Sequence, residues 1–430
     1  MQWTALALFA LLPLQWFVVG STPLGTTRLH QLAILGFGVI ICFRYRARLY
    51  SPVLRTAAVF VIANVYLLSM WAVVDLFNGT KPYGALQALL YLGAFVAIAT
   101  FISRAASGKE PGVASALKWA APVACTSVVL GFSLAMLVNG VNPASVLSKT
   151  IASADPELFQ KEVFKSSFAG FGLDAERVQG NLRHEIFGSL LVSMLVSTWA
   201  MNFCGEVTTA QRRAYRIAMV TGTFLLALSL SRSILIAASV WPIIVFVRSL
   251  RLGQLSTRQI AIAFTAITAV GALILSGFGL VIWNRFTTDT TGYDSRAENY
   301  VGAVASLKDH WLTGGVQTSG VGDSSHNFIV DSWLRSGIFS AIPAAVVVVV
   351  LLVLWIALLS RLTVEPEWLV PVTVALALPL VRLGTSGGGL IPPIEWVALA
   401  FVFGVLCERR RRRRLHLPMK GASLATAVRQ

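Results

Sequence analysis

Charge is scarce in this chain. Asp, Glu, Lys and Arg make up 13% of its 430 residues, while 56% are hydrophobic. A water-soluble protein of this size would then carry apolar patches far beyond what a monomer tolerates, so most of the surface must face lipid. Acidic residues are scarcer still, at 19 against 35 basic ones, and no acidic cluster has metal-ligand spacing. No Walker-type glycine loop is present either, which removes the sequence grounds for a nucleotide or a metal cofactor. Only four cysteines occur, Cys42, Cys125, Cys204 and Cys407. Their unrelated spacings in or beside apolar runs suggest packing and exclude a disulfide framework. No internal repeat is found, and no polar stretch is long enough to make a separate soluble domain.

What the chain has is apolar runs. They recur from residue 3 to residue 407 and match the roughly 20 residues a helix needs to cross about 30 Å of hydrocarbon. The expected architecture is an all-α polytopic membrane protein with about twelve transmembrane helices, at 3–20, 31–43, 56–74, 83–102, 119–138, 186–204, 217–231, 233–247, 259–283, 340–360, 368–383 and 394–407. The run from Trp3 to Val19 is read as the first helix, because nothing basic precedes it as in a signal peptide.

Basic residues set the expected orientation. Arg44, Arg46, Arg48 and Arg55, together with the run Arg409 to Arg414, place both termini in the cytoplasm under the positive-inside rule. The cytoplasmic segments then hold 22 of the 35 Lys+Arg and 5 of the 19 Asp+Glu. The net charge of +16 therefore reads as membrane topology, and no nucleic-acid partner is expected. The division is 1–138, five helices; 139–185, a first long periplasmic loop; 186–283, four helices; 284–339, a second long loop; 340–407, three helices; and 408–430, a basic tail. Long connections of this kind carry function or are disordered.

Residues 217–247 form one apolar stretch with Ser231-Arg232-Ser233 near its centre. A single helix would flip Arg248, Arg251, Arg258 and the arginine tail outward, so a hairpin of two short helices is expected, with Arg232 below the outer membrane surface. Guanidinium is costly there unless it meets an anion. That anion is a phosphate-bearing ligand or an external acid such as Asp289 or Glu185, unless the side chain snorkels to the surface. Arg296, in Asp294-Ser295-Arg296-Ala297-Glu298, begins an expected helix and could pair with either acid beside it. His326, in Asp323-Ser324-Ser325-His326-Asn327-Phe328, offers an imidazole suited to general-base work, or is simply a polar loop residue.

Three local patterns resemble the O-antigen ligase and polymerase superfamily. They are Ser231-Arg232 at a hairpin tip, Arg296 followed by Asp309-His310-Trp311-Leu312-Thr313-Gly314, and His326-Asn327 with Gly337 eleven residues on. Arg177-x-x-Gly180 resembles the family's Arg-x-Gly element more loosely. Trp311 stands where the family usually has Pro, Arg335 where an acid is common, and Ser340 where a second Gly is common.

The resemblance, good over residues 217–360, implies a periplasmic, inner-membrane glycosyltransferase that needs no cofactor. It would move a glycan from an undecaprenyl-pyrophosphate donor to lipid A core, as a ligase, or to a second lipid-linked glycan, as a polymerase. His326, Arg232 and Arg296 would be catalytic, and Arg177, Arg183 and Asn327 substrate-binding. His184 and His310 would be structural, and membrane lipids the surroundings. A transporter or flippase of lipid-linked or anionic solutes is the reading from another class. The expected absence of ionisable residues inside the spans, apart from Arg232 and Arg382, counts against it.

Overall fold

A computed structural model describes residues 1–15, 17–22, 25–138, 140–153, 171–172, 182–229, 231–253, 291–314, 327–363, 367–385 and 391–415. The expected span 259–283, Arg177 and His326 lie outside the described residues.

The described chain is a helical bundle. Its N-terminal half contains α1 (Gln2–Leu11), α2 (Leu29–Arg44), α3 (Ser51–Thr56), α4 (Ala58–Phe77), α5 (Tyr83–Ala106), α6 (Pro111–Lys118), α7 (Ala120–Val138) and α8 (Pro143–Ser153). After it come α9 (Leu182–Phe203), α10 (Thr209–Leu228), α11 (Arg232–Arg251), α12 (Thr291–His310), α13 (Phe328–Ser336), α14 (Ile338–Leu359), α15 (Leu369–Thr385) and α16 (Pro393–Arg414). Among the described residues, six helices are long and apolar enough to cross a membrane: α4, α5, α7, α9, α11 and α14. The helices α1, α2 and α15 are apolar but shorter.

One segment departs from the all-helical expectation. The first apolar run does not make one helix over 3–20: α1 stops at Leu11, and the chain turns into a hairpin of β1 (Phe17–Thr22) and β2 (Gly25–Arg28). Pro13 has no N–H with which to continue the helical ladder, and the β-branched pair Val18-Val19 suits a strand. A two-residue strand, β3 (Phe171–Gly172), pairs parallel with β1 and ties the first long loop to this hairpin.

Many of the basic residues among those described gather at one end. Arg410 reaches the carbonyl of Arg55, Arg412 that of Ala106, Arg248 that of Leu362 and Lys118 that of Glu206. Tyr45 donates to Glu110, which also accepts from Arg104. α10 starts at this end, where Thr208 and Gln211 form a capping box and Gln211 reaches Ser115 of α6. α11 finishes there too, with Arg248 beside Leu362 and Glu367. The two helices therefore form a hairpin whose tip is Ser229–Ser231 at the opposite end. Each is 20 residues long instead of about 15. The added turns are polar, carrying Arg212, Arg213, Arg216, Arg248 and Arg251, so the apolar stretch itself is no longer than expected.

Packing separates inner from outer helices. In α9, 83% of the apolar window is buried, which makes it central; in α14, the most apolar helix, the figure is 28%, and Val349, Val353 and Ile356 face outward. In lipid, helices associate through close contact and not through escape from water, so small residues matter at crossings. A Cβ on Gly404 of α16 would lie 2.6 Å from the Ala99 carbonyl of α5, and one on Gly38 of α2 would lie 3.0 Å from the Ala94 Cβ. Phe60, Phe95, Trp396 and Phe403 fill the space between α4, α5 and α16, with ring centroids 5.4–5.9 Å apart.

Candidate functional site

Two of the sequence patterns meet at a backbone joint. After α12 the chain turns through Trp311–Thr313, and Gly314 donates its N–H to the His310 carbonyl. Gly314 and Gly337 both have a φ of 68°. A Cβ on Gly337 would lie 1.9 Å from the Leu312 carbonyl oxygen, and one on Gly314 would lie 2.3 Å from the Gly337 nitrogen. Only glycine satisfies both the left-handed backbone and this approach. Trp311, where proline would be usual in the resembled family, accepts at its carbonyl from Trp333 Nε1 at 2.7 Å and from the Ile338 N–H at 3.1 Å.

Asn327 begins α13. Its Oδ1 accepts from the N–H groups of Ile329 and Val330 at 3.0 and 3.3 Å, as an N-cap does. At the other end of α13, Arg335 Nη2 lies 2.7 and 2.6 Å from the two Asp75 carboxylate oxygens of α4. The same guanidinium stacks over Trp71 at 4.3 Å. The base at position 335, where an acid is usual in the family, thus has its acid on another helix.

A second group of residues lies at the same end of the bundle, around the starts of α9, α11 and α16. His184 is buried, with Nδ1 2.8 Å from Ser233 Oγ and Nε2 2.6 Å from Glu395 Oε1. Glu395 is 0% exposed and its Oε2 has no hydrogen-bond partner; Arg382 is 8% exposed and its Nε has none. Beside them Glu185 pairs with Arg28 at 3.5 Å and lies 3.7 Å from His30. Arg382 is within Coulombic reach of both His184 and Glu185. Two carboxyl groups and two guanidiniums thus lie close together where little water reaches, and groups of this kind are tolerated there only when they meet one another.

Several sequence expectations can be placed on this frame. Arg183 stands in the first turn of α9 and Arg232 is the first residue of α11; their neighbours His184 and Ser233 bond, so these two helix starts adjoin. Arg296 is in the first half of α12, which packs on α13. The side chains of Arg183, Arg232 and Arg296 lie outside what the structure describes, as do Arg177 and His326 altogether. Glu185, one of the acids considered for Arg232, has Arg28 as a partner. His310 is exposed.

Sequence reasoning missed Glu395 and the partners of His184, which it gave only as structural, and it treated the spans as nearly free of ionisable groups. Glu395 in the first turn of an apolar helix was the available signal, since a carboxylate in such a place needs a partner. Among the described residues, no group of three or more His, Cys, Asp or Glu side chains could hold a metal ion. No protein-family model matches the chain, and neither does any curated protein.

Proposed function

We propose that this chain is a glycosyltransferase of the O-antigen ligase type, with twelve spans, cytoplasmic termini and an active site facing the periplasm of the inner membrane. It moves a glycan from undecaprenyl pyrophosphate to the lipid A core. The observation that carries the reading is the joint between Trp311–Gly314 and Gly337, which brings together two segments that the family resemblance singles out. Ser231-Arg232 at the tip of a helix hairpin, at the end opposite Arg248 and Arg410, supports it further.

In this reading the diphosphate leaving group collects negative charge as the glycosidic bond breaks. Arg232 and Arg296 neutralise it in a water-poor setting, where a charge-assisted bond is strongest. His326 takes the proton from the acceptor hydroxyl as that oxygen attacks the anomeric carbon. Arg177 and Arg183 hold the donor. Asn327 orders the backbone immediately after His326 by capping α13, so its contribution as a substrate ligand is secondary to that cap.

The test is reconstitution with an undecaprenyl-pyrophosphate oligosaccharide and two acceptors, lipid A core and a second lipid-linked unit. Glycosylated core supports the ligase; laddered lipid-linked chains identify a polymerase. His326→Ala should abolish product, and Arg232→Ala should slow its formation about 100- to 1,000-fold while leaving a measurable rate. A second reading, a transporter of anionic or lipid-linked solutes, is favoured by the buried His184, Glu395 and Arg382 group. It predicts carrier movement across the bilayer with no transfer.

A further inference from the structure

The Ser-Arg turn is held from outside its own hairpin. Ser231 precedes α11, and its Oγ lies 3.4 Å from Ser233 Oγ; the Ser231 N–H is 3.3 Å from Ser229 Oγ. Hydroxyls this close to the backbone can satisfy several partners, so serines alone would leave the turn with alternative arrangements. His184 selects one of them. A Glu395 carboxylate can only accept, so a neutral His184 beside it carries its proton on Nε2 and presents Nδ1 as the acceptor for the Ser233 hydroxyl. A carboxylate behind an imidazole fixes both the tautomer and the ring orientation, as it does behind metal-bound histidines.

We infer that Glu395 is a positioning residue for Arg232, acting through His184 and Ser233 and through the turn on which Arg232 stands. The relay joins three helices, α16, α9 and α11, and spans 211 residues of sequence on one side and 49 on the other. All three polar groups are at least nine-tenths buried, so water does not compete for these bonds. The charged and titratable groups near the relay come from four other places: Glu185 on α9 itself, Arg28 at the end of β2, His30 on α2 and Arg382 on α15. Tyr91 of α5 lies beside Glu185. Protonating His184 would turn Nδ1 into a donor and force the Ser233 hydroxyl to point elsewhere, with Ser231 Oγ the acceptor at hand.

This inference rests on the transferase reading for its kinetic consequence but not for its structural one, and the test separates the two. Backbone hydrogen exchange of residues 229–235 is followed in the full chain in lipid nanodiscs, for wild type, Glu395→Ala, Glu395→Gln and Ser233→Ala. Glu395→Ala and Ser233→Ala should each speed exchange of these amides at least tenfold. Glu395→Gln, whose carbonyl still accepts from Nε2–H, should restore most of the protection. Unchanged exchange in Ser233→Ala, which keeps every charge, overturns the positioning role whatever the protein catalyses.

With the donor and lipid A core, Glu395→Ala should lower kcat about 100-fold, the usual consequence of misplacing a reacting group by about 1 Å, with donor KM changed less than about threefold. Arg232→Ala/Glu395→Ala should be no slower than Arg232→Ala alone. Losses that multiply in the double variant overturn the link to Arg232. Absence of transfer in wild type overturns the transferase reading while leaving the exchange result to decide the relay.

Discussion

Arg335 and Asp75 lie 260 residues apart in the chain and are joined by one guanidinium nitrogen that touches both carboxylate oxygens at 2.6 and 2.7 Å. The contact fastens α13 to the end of α4, with Trp71 beneath the guanidinium. α13 starts at Phe328, two residues after His326 in sequence, so this pair holds the helix that follows the proposed base.

Removing either partner should therefore loosen α13. Arg335→Ala or Asp75→Ala should cost about 2 kcal/mol, the range for a hydrogen bond to a charged group that is only partly exposed. Thermal unfolding in detergent reads the loss, and the exchange Asp75→Arg/Arg335→Asp should recover at least part of it. Equal melting of all four proteins would show that the pair does not hold the helix.

The glycine joint gives a sharper comparison. Gly79 and Gly337 have nearly the same backbone, with φ of 67° and 68°, but a Cβ on Gly79 meets nothing within 4 Å and one on Gly337 meets the Leu312 carbonyl. Gly79→Ala should cost roughly 1 kcal/mol for the left-handed backbone alone. Gly337→Ala should cost more than about 3 kcal/mol, or prevent folding, because overlap with a backbone atom is added. Matched melting temperatures for the two variants would contradict the joint.

Tyr45 supplies a pH test outside the spans. Burial, and Glu110 accepting its hydroxyl, push its pKa well above the ordinary tyrosine value. A folded-state pKa above the unfolded one means that Tyr45 contributes stability fully below the ordinary tyrosine pKa, and that this is lost as pH rises through the folded value. Ultraviolet titration of tyrosinate should thus give the same absorbance change up to about pH 11 for wild type and Tyr45→Phe. A missing ionisation step near pH 10 in the variant would disprove the shift.

Topology can be read with thiols. In a Cys42→Ser background, Asn78→Cys, at the end of the bundle opposite Arg409 to Arg414, should react in intact cells with a membrane-impermeant maleimide. Lys109→Cys should react only after the membrane is opened. Both positions are exposed in the fold. The reverse pattern would invert the proposed orientation.

Hydropathy made most of the helices legible, since a run of twenty apolar residues has few structural options. The break at Ser231 was legible for a different reason: the arginines after it, Arg248 and Arg251, had to return to the basic side. The β1–β2 hairpin was not, because the apolar run before it has the composition of a span and only Pro13 marks its end. By resemblance Asn327 reads as a substrate ligand and Gly337 as part of a family pattern, whereas the structure makes them the two caps of α13. Asp75 beside Arg335, and Glu395 behind His184, were not legible, because each partner is chosen by how distant helices pack, and one sequence does not encode that pairing in any local pattern.

The helix α16 carries Glu395 in its first turn and Arg409 to Arg414 in its last turns. Each residue along such a helix advances the face by about 100° and the length by about 1.5 Å. Glu395 must point at His184 while Arg412 reaches the Ala106 carbonyl, so the phase between the two ends is fixed. Inserting or deleting a single residue between Ala398 and Leu406 would rotate one end away from its partner even though the helix stayed apolar and long enough. α16 thus acts as a ruler between its two ends, and its length in residues is constrained to the single unit.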